Sequence, residues 1–182
     1  MVKTHTKNTM VPNNMYEITI RKVKPEERDT VFHLLKESAE WLLEKNINYW
    51  EVYITLPPYL LNWINTGFDN NEFYFAENTD NEIIGCFRLQ DEDPMFWGDR
   101  PGNAGYVHSF AVSRKLAGRK IGHTILTEIE SYCRQNGKQM LRLDCSTRQP
   151  RLRAYYEAFG FSFVADIHLM NEDLTLFEKR IA

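Results

Sequence analysis

The sequence predicts an α+β (α/β mixed) chain built on one mixed, mostly antiparallel sheet flanked by helices. Three observations carry this reading. Short alternating segments early in the chain are joined by a tight turn, as in a hairpin. Two strand-helix units follow one another in the second half, which requires a parallel crossover. A length of 182 residues with 43% hydrophobic and 26% charged residues suits one packed core rather than two. The first 14 residues are polar and contain Pro12, with no periodic apolar pattern, so 1–14 reads as a flexible tail and 15–182 as the single domain. Residues 16–23 alternate apolar and polar through Tyr16, Ile18 and Ile20 as a half-buried strand does. Pro25, Glu26 and Glu27 then open a helix to about Lys45 with an apolar stripe of Val31, Leu34, Leu35, Trp41 and Leu42. Pro57-Pro58 opens a short second helix through Trp63. Residues 72–77 and 83–89 form two strands around the turn Asn78-Thr79-Asp80-Asn81. A strand over 106–112, a helix over 121–136, a strand over 140–145, a helix over 150–159 closed by Gly160, and strands over 161–164 and 174–178 complete the order.

Composition excludes several functions. Lys and Arg number 22 against 25 Asp and Glu, a net charge of −3, which argues against nucleic-acid binding through overall charge, so any anion site must be local. No apolar run approaches a membrane-spanning length, and the polar start lacks the apolar stretch of a secretory signal; both point to a cytoplasmic protein without a membrane partner. Cys86, Cys133 and Cys145 are odd in number and widely spaced, matching neither a disulfide framework nor a zinc site, and read as reduced, buried thiols with no metal.

The local charge feature is SRKLAGRKIGHTILT, residues 113–127, which joins a strand to a helix and holds Arg114, Lys115, Arg119, Lys120 and His123. Cations at the positive end of a helix dipole are unfavourable unless an anion binds there. Gly118 and Gly122 permit close backbone approach to phosphate oxygens. A solvated basic helix start explains the same composition, and composition alone does not choose between the two.

The strand YVHSFAV that precedes this turn, with the turn and the helix after it, resembles the acyl-CoA-binding motif of the GNAT superfamily of N-acyltransferases. The family's apolar-Ala-Val strand end corresponds to Phe110-Ala111-Val112, and its (Gln/Arg)-x-x-Gly-x-(Gly/Ala) pyrophosphate loop to Ala117 through Gly122. The later family pattern Asn-x-x-(Ala)-x-x-x-Tyr-x-x-x-Gly-Phe is matched in spacing by Gln149, Leu152, Tyr156, Gly160 and Phe161. Two positions depart: Ala117 stands where the loop opens with Gln or Arg, and Lys120 where the family has its first Gly. The resemblance implies a splayed GNAT-like sheet, acetyl-CoA as co-substrate, and transfer of an acetyl group to the primary amine of a small molecule or peptide by direct attack. It implies that Phe110, Ala111, Val112, Ala117, Gly118, Arg119, Lys120, Ile121, Gly122, His123, Gln149 and Tyr156 meet the cofactor. A homodimer is reasonable by the same analogy.

By family position Tyr156 is the expected general acid for the departing thiolate, with Tyr155 as fallback; both also fit as core aromatics. An ammonium acceptor needs a base, for which His108 and Asp144 are candidates, while Glu92 reads as a solvated loop charge. Asp91, Glu92 and Asp93 with Phe96 and Trp97 are expected to form one wall of an acceptor site, and Trp41 and Trp50 another, although aromatics in a helical arm also serve as core. Cys145 as a covalent nucleophile is disfavoured, since no histidine-carboxylate relay accompanies it. Arg142, Arg148, Arg151 and Arg153 meet either a cofactor 3′-phosphate or solvent. Two other functions compete with catalysis: a non-catalytic acyl-CoA sensor, prompted by the altered loop, and a nucleotide- or RNA-binding domain, disfavoured by the acidic total.

Overall fold

The computed structural model describes residues 17–182; the expectation of a flexible tail over 1–14 lies outside the described residues. Among the described residues seven strands form one sheet: β1 (Thr19–Lys22), β2 (Phe73–Glu77), β3 (Ile83–Gln90), β4 (Ala104–Val112), β5 (Met140–Ser146), β6 (Ser162–Leu169) and β7 (Glu172–Arg180). Their spatial order is β1-β2-β3-β4-β5-β7-β6. Every neighbouring pair is antiparallel except β4 and β5. The helices are α1 (Arg28–Glu44), α2 (Val52–Thr55), α3 (Pro58–Asp69), α4 (Pro94–Trp97), α5 (Ile121–Gln135) and α6 (Pro150–Ala158).

Both faces of the sheet are covered, which explains why β2 is buried at all five positions. Its residues alternate between two cores as strand geometry requires. Phe73 and Phe75 pack with Val31, Leu35, Ile64 and Phe68 beneath α1 and α3. Tyr74 and Ala76 pack with Ile125, Leu126 and Ile129 of α5. The expected hairpin is present, and its turn is locked by the Asn78 side-chain oxygen accepting from the amides of Asp80 and Glu82 at 3.0 and 2.9 Å. Proline at the first turn opens both α3 and α6, where the missing N–H costs nothing.

The strand that matters for function is irregular. In the β3–β4 register Cys86 faces Ala111 and Arg88 faces His108, so Phe87 stands opposite two residues, Ser109 and Phe110. This is a β-bulge, with Ser109 in the left-handed region at φ 49°. The bulge reverses the facing of everything beyond it. Val107 and Ala111, four residues apart, would share a face in a regular strand, yet Val107 packs with α5 and Ala111 with α1 and α3. The parallel β4–β5 ladder runs from Ala104–Met140 to Val107–Leu143 and stops there. The two strands diverge past that pair, leaving the β5-facing edge of β4 from His108 to Val112 without a ladder partner.

Several expected bounds shift. The second helix, expected to end near Trp63, continues as α3 to Asp69, because Ile64, Gly67 and Phe68 are buried against the sheet. The last hairpin is longer than the expected 161–164 and 174–178, spanning Ser162–Leu169 and Glu172–Arg180.

Candidate active site

A cavity of about 1160 Å³ occupies the gap where β4 and β5 part. It passes from the first turns of α5 and α6 on one side to α1, α2 and α3 on the other. Phe110, Ala111, Val112, Ala117, Gly118, Lys120, Ile121, Gly122, His123, Gln149 and Tyr156 all line it, as do His108 and Asp144. Arg119 is the expected cofactor residue that does not line the cavity.

At its outer end the amides of Gly118, Lys120, Ile121 and Gly122 make no hydrogen bond within the described chain. Four free donors on a helix start that carries no acidic residue in its first turn form a cradle for an anion. Gly118 has φ 78° and open space where a side chain would project, so backbone conformation is what demands glycine there. Gly122 serves a different need. A Cβ at Gly122 would lie 3.0 Å from the Tyr155 hydroxyl and 3.7 Å from Val112, so its absence lets α6 close against the loop. Lys120 occupies the left-handed region at φ 58° and caps α5. Glycine stands at this position in the resembling motif because only glycine takes that conformation without a steric penalty.

Tyr156 is buried, with ring centroids of Tyr155, Phe161 and Phe177 within 6.0 Å. Burial raises its phenol well above the ordinary 10, and Tyr49, Cys145, Tyr155 and Asp144 add to that shift. Its hydroxyl has no hydrogen-bond partner among the described residues, although the side chain lines the cavity. Burial also pushes Tyr155 up, to about 12.

At the inner end His108 is held between two carboxylates. Its Nε2 is 2.9 Å from Asp93 Oδ2 and its Nδ1 is 3.4 Å from Asp144 Oδ1. The other Asp93 oxygen accepts from the Phe96 amide, capping α4. Asp93 accepts on both oxygens, which favours a proton on His108 Nε2, and Nδ1 faces Asp144. Trp63 meets the imidazole edge-on at 5.7 Å and Phe96 covers it at 5.0 Å. Burial raises the Asp144 carboxyl, with His108 opposing the shift and Asp93 adding to it. The Tyr53 hydroxyl bonds Ser109 Oγ at 2.9 Å and so ties α2 to the bulge.

The expected acceptor walls divide. Phe96, Trp41 and Trp50 line the cavity, together with Tyr49, Tyr53, Tyr59 and Trp63, which sequence reasoning did not select. Trp97 does not: it is buried in a separate cluster with Tyr106 and Leu176, where Arg142 lies 5.1 Å from its ring. Asp91 pairs with Lys138 at the surface and Glu92 is exposed, so of the acidic run only Asp93 reaches the site. Arg142 is 1% exposed and spends its donors on Glu178, Tyr106 and the carbonyls of Arg100 and Pro101. That excludes both roles considered for it, phosphate contact and solvation. Arg148 pairs with Glu172, while Arg151 lines the cavity. Cys145 is fully buried, with its thiol pushed up to about 12, a poor nucleophile. Among the described residues no group of three or more His, Cys, Asp or Glu is arranged to hold a metal ion, and no helix is long and apolar enough to cross a membrane.

Comparison with known proteins agrees with this geometry. Residues 32–161 match the acetyltransferase (GNAT) family. The chain belongs to that family. A GNAT chain is an acyltransferase, and members generally use acetyl-CoA as co-substrate. The chain is 28% identical over 159 residues to an uncharacterized N-acetyltransferase, YesJ, of Bacillus subtilis, covering 82% of this chain and 87% of that one. A GNAT-family acetyltransferase from Listeria monocytogenes superposes with a TM-score of 0.74 at 21% identity, over 90% of this chain and 94% of its own. A spermidine N-acetyltransferase chimera from Vibrio cholerae and hSSAT superposes with a TM-score of 0.61 at 14% identity, over 90% and 95% of the two chains. These likenesses show the GNAT fold.

Proposed function

We propose that this GNAT acyltransferase moves an acetyl group from acetyl-CoA to a primary amine by direct attack. The observation that carries the reading is a single cavity with unpaired amides at the α5 end and a carboxylate-flanked histidine at the other. The residues present fit the co-substrate. Its diphosphate would rest on the amides of Gly118, Lys120, Ile121 and Gly122, with the Lys120 ammonium beside it. Its pantetheine arm would follow the unpaired edge of His108 through Val112, where a backbone N–H meets the developing oxyanion, worth on the order of 3 kcal/mol.

The acceptor arrives as an ammonium and attacks only as a free amine. His108 Nδ1 takes that proton, with Asp93 holding the imidazole in the required tautomer and Asp144 stabilising the imidazolium. The nitrogen lone pair forms the new C–N bond as the C–S bond breaks, and Tyr156 protonates the departing thiolate. A phenol held protonated by burial is a weak acid, and the same apolar surroundings also raise the thiol, so the proton is passed as the C–S bond breaks and its uphill cost is partly offset by relief of the desolvated thiolate. The cysteines offer no covalent alternative.

Tyr156→Phe tests the assignment. We expect kcat to fall about a hundredfold with little change in KM for acetyl-CoA, measured by thiol release. Unchanged turnover rejects the acid role. A fall confined to acetyl-CoA affinity makes Tyr156 a packing residue instead.

A further inference from the structure

The acceptor half of the cavity is built for a different amine from the polyamine named for one structural neighbour. Trp41, Trp50, Tyr53, Tyr59, Trp63 and Phe96 supply its walls. Trp50 and Tyr53 lie with ring centroids 4.9 Å apart, and Trp63 and Phe96 both close on His108. Among the described residues lining the whole cavity, Asp144 is the one carboxylate, and the permanent cations Lys120 and Arg151 lie at the first turns of α5 and α6, the co-substrate end, while Arg114 rests over Trp41. Asp144 is itself engaged, 3.4 Å from His108.

A polyamine carries two or more ammonium groups. One of them can lose its proton to His108, but the others would enter an aromatic space whose one lining carboxylate, Asp144, is already engaged with His108, and a buried ammonium without a carboxylate partner is disfavoured. A flat apolar body meets the opposite situation. It gains contact area and offset or edge-on ring packing at little entropic cost, since Tyr53 is already held by Ser109 and Trp63 and Phe96 by His108.

Resting on the acetyl-transfer reading above, we infer that the acceptor is a primary monoamine carrying an aryl group, bound with its ring among Trp50, Tyr59, Trp63 and Phe96 and its nitrogen at His108. The step balances as before: the amine nitrogen gains the acetyl group, one of its protons goes to His108, and the thiol leaves as CoA-SH.

The test uses the full chain with acetyl-CoA, comparing tryptamine with spermidine by thiol release, and acetyl-CoA binding alone by calorimetry. We expect kcat/KM for tryptamine to exceed that for spermidine by about tenfold or more. Phe96→Ala should raise the tryptamine KM about tenfold and leave the acetyl-CoA KM unchanged. Phe96 also packs against the Trp97 cluster, so Tyr59→Ala, at a side chain 58% exposed, gives a second variant with no folding risk and the same expected direction. Equal or better turnover of spermidine overturns the inference while the acetyl-transfer reading stands. Acetyl-CoA binding with turnover of neither amine overturns it as well. Absence of acetyl-CoA binding removes the reading beneath it.

Discussion

Lys120 places an ordinary side chain where the backbone is left-handed, at a cost of about 1 kcal/mol relative to glycine. The compensation available is electrostatic, an ammonium at the mouth of the amide cradle. Two substitutions separate these effects. Lys120→Ala and Lys120→Gly both remove the charge and should weaken CoA binding alike, read by calorimetry. Only Lys120→Gly removes the strain, so it should melt higher than Lys120→Ala. Equal melting would remove the strain argument. Asp144 gives a pH test. Burial raises its carboxyl above the ordinary 3.8, so the folded chain holds this proton more tightly than the unfolded one. Its stabilising contribution is complete below the unfolded value and is lost as pH rises through the folded value. Asp144→Asn cannot ionise and escapes that loss. Its melting temperature relative to the parent should therefore climb as pH rises above the ordinary carboxyl value, and a difference independent of pH would contradict the buried-carboxylate account.

Between β4 and β5 the decisive element is the bulge. Ser109 is at once left-handed, bonded to Tyr53, and positioned where the two strands separate. Ser109→Val should be destabilising by about 2 to 4 kcal/mol in urea unfolding, since it removes the bond and puts a β-branched residue at positive φ. Tyr53→Phe, which deletes only the bond, should cost about 1 kcal/mol. None of this was legible in YVHSFAV, whose alternation reads as a regular strand, because a serine tolerates a bulge without announcing one. The hairpin turn at Asn78, the proline-opened helices and the α1 stripe were legible, since each is decided by local chemistry. The four-residue α2 and α4 were not, being too short for a periodic signal, and they exist because Tyr53 and Trp97 are buried by distant parts of the chain. The site was half legible. Its cofactor side lies in one continuous stretch with family spacing, whereas the pairing of His108 with Asp93 depends on a loop folding back across the sheet. Asp93 was visible only as part of an acidic run, and its helix-capping position before Pro94 was the signal that set it apart from Asp91 and Glu92.

Across the whole molecule, two cores share one sheet, and the cavity opens through the line where that sheet is interrupted. Helices α1 and α3 close it from one face and α5 and α6 from the other. Gln149 at the start of α6 reaches the Asn48 carbonyl across the opening at 3.5 Å, a long contact that does little to join the two sides. On the proposed reading a co-substrate lying in the gap would touch both layers and supply the connection the β4–β5 ladder lacks beyond Val107–Leu143. Binding the folded chain alone, it would stabilise by mass action. At about 100 times its dissociation constant, CoA should add about 2.7 kcal/mol, raising the melting temperature by roughly 5 to 11 °C for a chain of this size. Gly122→Ala narrows the gap by pressing on the Tyr155 hydroxyl, and should lose most of that ligand-induced rise. Desulfo-CoA, which lacks the sulfur but keeps the diphosphate, should retain most of it in the parent protein, as expected when the amide cradle rather than the thiol end supplies the principal grip. A rise that follows the sulfur instead would move the principal grip to the Tyr156 end of the cavity.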